Sequence, residues 1–237
     1  MEILEKNTSI PTFRIIVFFT IALTIALAVM LFLTNAKESP KMLGIISGLI
    51  TGIIVGLFQL YLSWYEHKKI KKFEEMAIID VLINRDGRTF YENLIKNCNT
   101  KISVMGVTAS RFIHDFADLD ANAGQNAKVL LVAMNNHVKV KILLPHPNHL
   151  PAKEKQAAET LKTELDALKL TYPNNFEYKY FAHAPAHSIF IVDDTCIIGP
   201  VFPDVSSKHT PAIHLENKSP FAIKYIEYYN NEWSSAT

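Results

Sequence analysis

The chain is poor in cysteine and almost neutral overall, and each scarcity excludes a class of protein. Its 237 residues include two cysteines, Cys98 and Cys196, which are too few for a disulfide framework or a cysteine-ligated zinc site. A net charge of +1 argues against general nucleic-acid binding through a large basic field. The sequence also has no glycine-rich phosphate loop and no Cys-x-x-Cys pair. We therefore expect no cofactor and no metal centre.

Glycine is scarce too, but its distribution is informative. Four of the eight glycines lie four residues apart in one uncharged run, at Gly44, Gly48, Gly52 and Gly56. This spacing places them along one slowly drifting stripe of a helix. In lipid, helix association depends on close backbone approach, which small residues permit. The stripe predicts packing against another helix, either the chain's own first apolar run or a second subunit in a homo-oligomer.

Two long apolar runs predict a pair of membrane-spanning helices. Residues Ile15 to Leu33 and Met42 to Trp64 carry no charge, and each meets the requirement of about 20 residues to cross a bilayer. A secretory signal is the alternative for the first run, but a second span follows too closely for that interpretation. The connector Thr34–Lys41 is short enough that the two spans must form an antiparallel hairpin.

Lysines near the ends of the spans predict the orientation of this hairpin. Lys68, Lys69, Lys71 and Lys72 follow the second span, whereas the connector offers Lys37 and Lys41, offset by Glu38. Because positive charge is retained on the cytoplasmic side, both termini are expected in the cytoplasm of a bacterial inner membrane. The basic cluster also favours contact with anionic lipid headgroups. The predicted organisation is a hairpin over residues 1–66, a charged helical linker over 67–86 and a cytoplasmic domain over 87–237.

The remaining sequence alternates between helical and strand patterns. Helical spacing extends from Trp64 to Leu82 and predicts a continuation of the second span. Strands alternating with helices then favour an α/β sandwich around a mixed sheet. The predicted helices are 88–97, a stretch through 112 and 116, 127–135, 152–169 and 220–234, and the predicted strands are 101–107, 138–144, 176–181, 188–192, 196–198 and 212–215.

One segment of the domain resembles a known enzyme family. His187-Ser188-Ile189-Phe190-Ile191-Val192-Asp193-Asp194 is similar to the signature strand of the phospholipase D superfamily, in which His-x-Lys is followed by four residues and Asp. The resemblance implies that His187 is the nucleophile and that Asp194 orients it. Ile189 occupies the lysine position, and Pro200 and Val201 follow Gly199 where the family has a small residue and an asparagine. Because phosphoryl chemistry relies on cations at the phosphate oxygens, this site is expected to be degenerate.

Other side chains could take the place of the missing lysine. Arg111, Lys179 and Lys208 are the candidate cations, and Ser206 and His187 complete the predicted ligand-binding set. Catalysis would also need a dimer that places two His187 side chains face to face. His183 and His187 lie four residues apart, but the intervening Pro185 breaks the helical geometry that a metal pair would need.

A predicted membrane hairpin joined to a degenerate domain resembles the small two-span effectors of bacterial antiphage systems, including those that accompany retrons and cyclic-nucleotide signalling. The resemblance implies a toxin-like effector in abortive infection: a non-catalytic sensor domain receives a trigger, and the spans oligomerise and disrupt the inner membrane. A nucleotide, a nucleic acid or a reverse transcriptase complex is the expected trigger or partner. The alternatives are an active membrane-tethered phosphodiesterase or phospholipase and a scaffold that holds a cytosolic partner at the membrane.

Overall fold

The computed structural model describes residues 9–33, 40–120 and 122–237. These residues divide into two units, with the boundary between Lys72 and Phe73. The first unit is helical, and the second contains a seven-stranded sheet.

The first unit contains α1 (Ser9–Leu33) and α2 (Pro40–Glu75). Among the described residues, one helical stretch, residues 44–75, is long and apolar enough to cross a membrane, and residues 17–30 form a shorter apolar helix. A membrane-spanning role for the first apolar run therefore stays a prediction. Most of the predicted connector, residues 34–39 with Lys37 and Glu38, lies outside the described residues.

The glycine stripe lies along α2. Apart from the chain neighbours and the backbone of α2 itself, no described atom lies within 4 Å of a Cβ placed on Gly44, Gly48, Gly52 or Gly56. No described residue of another element therefore packs closely at these positions, and packing of the stripe against another helix stays a prediction.

The second unit alternates between strands and helices. Its strands are β1 (Ile78–Leu82), β2 (Lys101–Met105), β3 (Lys139–Pro145), β4 (Phe176–Phe181), β5 (His187–Val192), β6 (Thr195–Pro200) and β7 (Ala212–Glu216). Its helices are α3 (Arg88–Lys96), α4 (Ser110–Phe116), α5 (Val129–Asn135), α6 (Ala152–Thr171) and α7 (Pro220–Ser235).

The sheet is mixed, as the sequence predicts. The strand order is β1-β7-β6-β5-β2-β3-β4. Strands β2, β3 and β4 are parallel, and the remaining pairs are antiparallel. Parallel strands need crossover helices, and α4, α5 and α6 lie in the two crossovers.

The sheet separates two apolar cores because successive side chains of a strand point to opposite faces. On one face, Val104, Ile142 and Phe190 pack with residues of α3 to α6. On the other face, Met105, Leu143 and Ile189 pack with α7. Each strand therefore presents one set of side chains to α7 and the alternate set to the other helices.

The helix predicted from Trp64 to Leu82 is wrong over its last residues. The helix ends at Glu75. Ile78–Leu82, within the predicted linker, form β1, which pairs antiparallel with β7. Ala77 adopts a left-handed backbone with φ of 48°, which an α-helix cannot continue through. The chain therefore enters the sheet earlier than the helical spacing predicts.

Candidate functional site

The predicted site residues can be located relative to the two ends of the parallel strands. The end at which β2, β3 and β4 finish is called here the carboxyl edge, and comprises residues 83–85, 106–111, 146–149, 182–187 and 200–211. The opposite end, called the amino edge, comprises residues 97–101, 136–141, 172–177 and the hairpin turn 193–194. In open α/β sheets, ligands bind outside the carboxyl ends of the strands, and the predicted nucleophile, His187, lies at this edge.

His187 begins β5 at the carboxyl edge and faces α7. Its ring lies edge-on to Tyr225 and Tyr228, with centroid distances of 5.2 and 5.8 Å. Neither ring nitrogen makes a hydrogen bond to any described residue, so nothing there fixes the tautomer that a nucleophile needs. Ile189, in the lysine position of the motif, is fully buried in the α7 core. Aromatic rings therefore flank His187, and the lysine position of the motif is apolar.

The structure does not bring Asp194 to His187. Val192 pairs with Thr195 across the β5–β6 hairpin, so Asp194 lies in the turn at the amino edge. Seven residues of extended chain separate the two side chains, a span of about 23 Å at roughly 3.3 Å per residue. Asp194 therefore cannot orient the imidazole within one chain.

The neighbouring Asp193 has a clear structural role that the motif did not reveal. Its carboxylate accepts hydrogen bonds from the backbone N–H groups of Asn99, Thr100 and Lys101 at 2.7, 3.0 and 3.0 Å, and from the Thr100 hydroxyl at 2.5 Å. Burial opposes its ionisation, but these bonds outweigh the burial and lower the pKa of Asp193 to about 2. The Sγ of Cys98 lies 3.4 Å from the same carboxylate. Asp193 thus fixes the hairpin turn to the loop before β2.

The most buried cation of the carboxyl edge is Arg85, which the sequence did not single out. Its side chain is 5 % exposed and donates from Nε to the Ser207 carbonyl at 3.0 Å and from Nη2 to the Pro200 carbonyl at 3.2 Å. Both nitrogens also donate to the Thr210 hydroxyl. Burial lowers the pKa of Arg85, but an arginine stays charged in proteins. No described carboxylate pairs with it, so these neutral oxygens satisfy the charge.

Gly199 gives the Arg85 guanidinium its space. A Cβ at this position would lie 2.7 Å from the Pro211 carbonyl oxygen, 3.1 Å from Cζ of Arg85 and 3.2 Å from its Nη1. Only glycine allows so close an approach. The glycine after the motif therefore allows the close packing of an arginine.

Arg111 lies against the same segment. It is the second residue of α4 and donates from Nη2 to the Arg85 carbonyl at 2.5 Å. Its guanidinium also pairs with Asp86 at 3.4 Å and with Asp115 at 3.9 Å. The donors of Arg111 are thus engaged by the protein.

Ser206 and Lys208 lie on the loop that Arg85 holds. The Lys208 carbonyl accepts the Arg85 backbone N–H at 2.9 Å; Ser206 is exposed and Lys208 is half-buried. The structure therefore gathers Arg111, Ser206 and Lys208 around Arg85. His187 begins a strand at the same edge, but its side chain lies on the α7 face.

Lys179 is separated from these residues. It lies on the edge strand β4, in the same cross-sheet row as Ile189, Met105 and Leu143. Its Nζ donates to the carbonyls of Trp233 and Ala236 at 3.3 and 3.2 Å. A cation at this point donates to the last carbonyls of α7 and interacts favourably with the negative end of the helix dipole. Lys179 therefore caps a helix in the structure and does not reach the predicted ligand-binding group.

His183 pairs with a carboxylate and not with His187. Its Nε2 lies 3.1 Å from the Glu232 carboxylate, and its Nδ1 lies 2.9 Å from the Ala184 carbonyl. The contact with the Ala184 carbonyl, together with Glu232, raises the pKa of His183. Across the described residues, no group of three or more histidine, cysteine, aspartate or glutamate side chains could hold a metal ion.

Comparisons with known proteins give likenesses of structure. No family model matches the chain, and no curated protein matches it. It is similar to Nuc, a phospholipase D family member from Salmonella typhimurium, with 16 % identity and a TM-score of 0.40 over 67 % of this chain and 96 % of that one. NucT from Helicobacter pylori gives 13 % identity and a TM-score of 0.42 over 65 % and 91 % of the two chains. The archaeal chromatin protein TrmBL2 gives 14 % and 0.42 over 84 % and 70 %. Phospholipase D family members are thus among the solved structures to which this mixed α/β chain is similar.

Proposed function

We propose that the protein is a membrane-anchored effector whose α/β domain receives a signal without turning over a substrate. The observation that carries this proposal is the surroundings of His187. Two tyrosines flank the imidazole, Ile189 fills the lysine position, and Asp194 lies at the opposite end of the strand. A nucleophilic histidine needs an orienting partner and a cation for the developing charge, and this arrangement provides neither within one chain.

The proposed anchor and output element is α2. Its residues 44–75 are long and apolar enough to span a bilayer, and Lys68 and Lys69 lie over the rings of Trp64 and Tyr65 at 5.5 and 4.8 Å. Aromatic and basic side chains of this kind anchor helix ends at the membrane surface. The glycine stripe on the same helix leaves bare backbone for contact with a second copy.

In this proposal, a signal at the domain shifts the chain toward an oligomer that disrupts the bacterial inner membrane, as in antiphage defence by abortive infection. The signal is a nucleotide, a nucleic acid or a protein partner such as a reverse transcriptase complex. It can shift the equilibrium only by binding the oligomeric arrangement more tightly than the resting one.

Forced association tests the effector role without knowledge of the trigger. The full chain is fused after Thr237 to a domain that dimerises on addition of a small molecule, and membrane potential is followed in cells with a voltage-sensitive dye. We expect depolarisation after addition of the dimeriser. The double substitution Gly48→Leu with Gly52→Leu should abolish it, because leucine separates the two backbones.

The matched control for that experiment is Val55→Leu, an exposed position on the same helix. Apart from the chain neighbours and the backbone of α2 itself, no described atom lies within 4 Å of a Cβ at Gly48 or Gly52, so the first carbon of each new side chain has space. Depolarisation that persists in the double variant, or none in the wild type after dimerisation, contradicts the proposal.

The alternative function is an active phosphodiesterase that works as a dimer through His187. The resemblance of residues 187–194 to the phospholipase D signature favours it. Purified full-length protein is assayed on bis(p-nitrophenyl) phosphate and on phospholipid vesicles, with His187→Ala and, as a control at the same edge, His149→Ala. We expect no turnover from any of them. Turnover that His187→Ala removes and His149→Ala retains would establish the alternative.

A further inference from the structure

A cleft of about 480 Å³ lies at the amino edge, where the edge strand β4 begins. Lys139 and Lys141 of β3 and Lys169 of α6 line it, together with Asn174, Asn175 and Glu177. The lining thus contains three lysines and one carboxylate, and two amide side chains add neutral donors. The volume lies within the range of about 300–1,000 Å³ typical of small-molecule sites.

The strand register brings further positive charge to the cleft. Lys101 of β2 lies directly opposite Lys139 on the neighbouring parallel strand. Like charges placed directly opposite each other in a sheet destabilise it. Lys101, Lys139 and Lys141 share the face of the sheet that α7 covers, because they alternate with buried residues of the other core.

These three lysines have no carboxylate partner in the described part of the chain. No ion pair within 4.0 Å joins Lys101, Lys139 or Lys141 to an acid, although Glu177 lies opposite Lys141 on β4. Lys141 instead lies over the Trp233 ring at 4.8 Å, and Lys169 lies over the Tyr178 ring at 5.6 Å. Aromatic faces position an ammonium group without neutralising its charge. The cleft therefore carries more positive than negative charge, and its one lining carboxylate, Glu177, forms no ion pair within 4.0 Å with Lys139 or Lys141 among the described residues.

We infer that this amino-edge cleft binds a small ligand with two or more adjacent phosphates, of the nucleoside di- or triphosphate class. Lysine ammonium groups bind phosphate oxygens as point charges, and several on neighbouring strands match several phosphates. A single phosphate would leave most of the charge uncompensated. Trp233 lies stacked on Tyr229 and beneath Lys141 and Lys179, so its contribution is to hold the lysines and not to stack on a base. The inference concerns binding alone and stands apart from the effector role.

Calorimetric titration of the purified full-length protein, held in neutral detergent, tests this inference. The probes are adenosine triphosphate, inorganic tripolyphosphate and adenosine monophosphate. We expect the first two to bind with similar affinity and the monophosphate at least about tenfold more weakly, because charge-assisted hydrogen bonds to the additional phosphates are lost. Affinity should fall as salt is added.

The decisive variant is the double substitution Lys139→Gln with Lys141→Gln, which removes both charges and keeps polar side chains. We expect it to weaken triphosphate binding at least about tenfold. The matched control is Lys218→Gln with Lys224→Gln, which removes two exposed lysines that pair with Glu216 and Glu227. Circular dichroism confirms that each variant is folded.

Three results would overturn the inference: no binding of either polyphosphate at millimolar concentration, equal weakening in both double variants, or binding of a long oligonucleotide without binding of the triphosphate. The second result would mean general attraction to positive charge, and the third would mean a nucleic-acid surface. Because binding is measured on purified protein, its failure leaves the effector proposal standing. Failure of the depolarisation experiment likewise leaves this inference standing.

Discussion

The cations at the two edges of the sheet differ in their hydrogen-bond and ion-pair partners. At the carboxyl edge, Arg85 donates to the Ser207 and Pro200 carbonyls, and Arg111 pairs with Asp86 and Asp115. At the amino edge, residues 101, 139 and 141 are lysines with no ion pair among the described residues. The partners of a cation thus indicate its use: donors satisfied by backbone oxygens hold the fold, and unsatisfied ones remain available to a ligand.

This difference also separates sequence motif from structure. The predicted nucleophile His187 lies at the carboxyl edge, where Arg85 and Arg111 are engaged by the protein, whereas Asp194 of the same motif lies at the amino edge. The lysines that carry free charge lie at the amino edge, and no motif drew attention to them. Each of the following substitutions tests whether an edge uses its charges for folding or for binding, from the largest expected effect on stability to the smallest.

Removal of Arg85 should have the largest effect. Arg85→Ala removes the guanidinium that donates to the buried Thr210 hydroxyl and to the Pro200 and Ser207 carbonyls, so we expect a loss of about 2–4 kcal/mol in the free energy of unfolding. Arg85→Lys should recover little, because an ammonium group cannot reproduce the planar fork of donors. Urea denaturation of the full chain in detergent, followed by Trp233 fluorescence in a Trp64→Phe background, measures the loss.

The control for this substitution is Arg88→Ala. Arg88 is exposed and lies 4.0 Å from the Asp115 carboxylate, so its removal should change the free energy of unfolding by less than about 0.5 kcal/mol. If Arg85→Ala costs no more than Arg88→Ala, the carboxyl edge does not use its buried cation for folding and the comparison fails.

Gly199→Ala tests the close packing of Gly199 against the Arg85 guanidinium at the same edge. The added methyl group meets the Pro211 carbonyl and the Arg85 guanidinium, and relieving that overlap should cost about 1–3 kcal/mol. Gly124→Ala is the matched control, because no described atom lies within 4 Å of a Cβ there. Thermal denaturation compares the two variants, and equal melting temperatures would contradict the close approach.

Asp193→Asn probes the one carboxylate that holds the amino edge together. Asparagine tolerates the left-handed backbone at this position, where φ is 44°, so the expected loss of about 1–2 kcal/mol reflects weaker hydrogen bonds to residues 99–101. The pKa of Asp193, about 2, lies below its ordinary value of 3.8. Its contribution is therefore present above about pH 4 and is lost as the pH falls toward 2.

Denaturation midpoints measured from pH 7 to pH 2 check this prediction. The wild type should lose stability over the range from pH 4 to pH 2 more steeply than Asp193→Asn. Asp194→Asn, in the same turn, serves as the control and should retain the wild-type dependence. An identical pH dependence in all three proteins would show that the carboxylate has no special role.

The double substitution Lys139→Gln with Lys141→Gln should have the smallest effect on stability. Because it relieves repulsion between Lys101 and Lys139, we expect a change within about 0.5 kcal/mol, in the stabilising direction. Urea denaturation measures it. A loss of more than about 1 kcal/mol would mean that these lysines serve the fold, and the contrast between the edges would disappear.

The sequence predicted most of the second unit because hydrophobic periodicity and turn residues agreed with the final packing. The strand Phe176–Phe181 and the hairpin across 193–194 lie where the pattern places them. The strand Ile78–Leu82 was missed since its apolar residues also fit the spacing of the preceding helix. Its partner, β7, lies far along the chain, and single-sequence periodicity does not report such long-range pairing.

The site was harder to predict than the fold. The pattern of residues 187–194 gave His187 its place at the start of a strand, but periodicity carries no information on which oxygen a distant side chain reaches. Arg85 follows β1, and its partners lie more than a hundred residues later. A run of strand residues followed by Asn84-Arg85-Asp86-Gly87 offers a turn signal, which does not distinguish a buried arginine from an exposed one.

The chemical reactivity of the two thiols can report when the second unit opens. Cys98 and Cys196 are both buried, and burial, with Asp193 adding for Cys98, raises their pKa values to about 11 and 12. An alkylating reagent therefore modifies neither thiol until the surrounding structure separates. Cys98 becomes reactive when the loop before β2 leaves Asp193, whereas Cys196 requires the α7 core itself to part. The order in which the two thiols react during a membrane-disrupting response would show whether the domain loosens locally or unfolds as a whole.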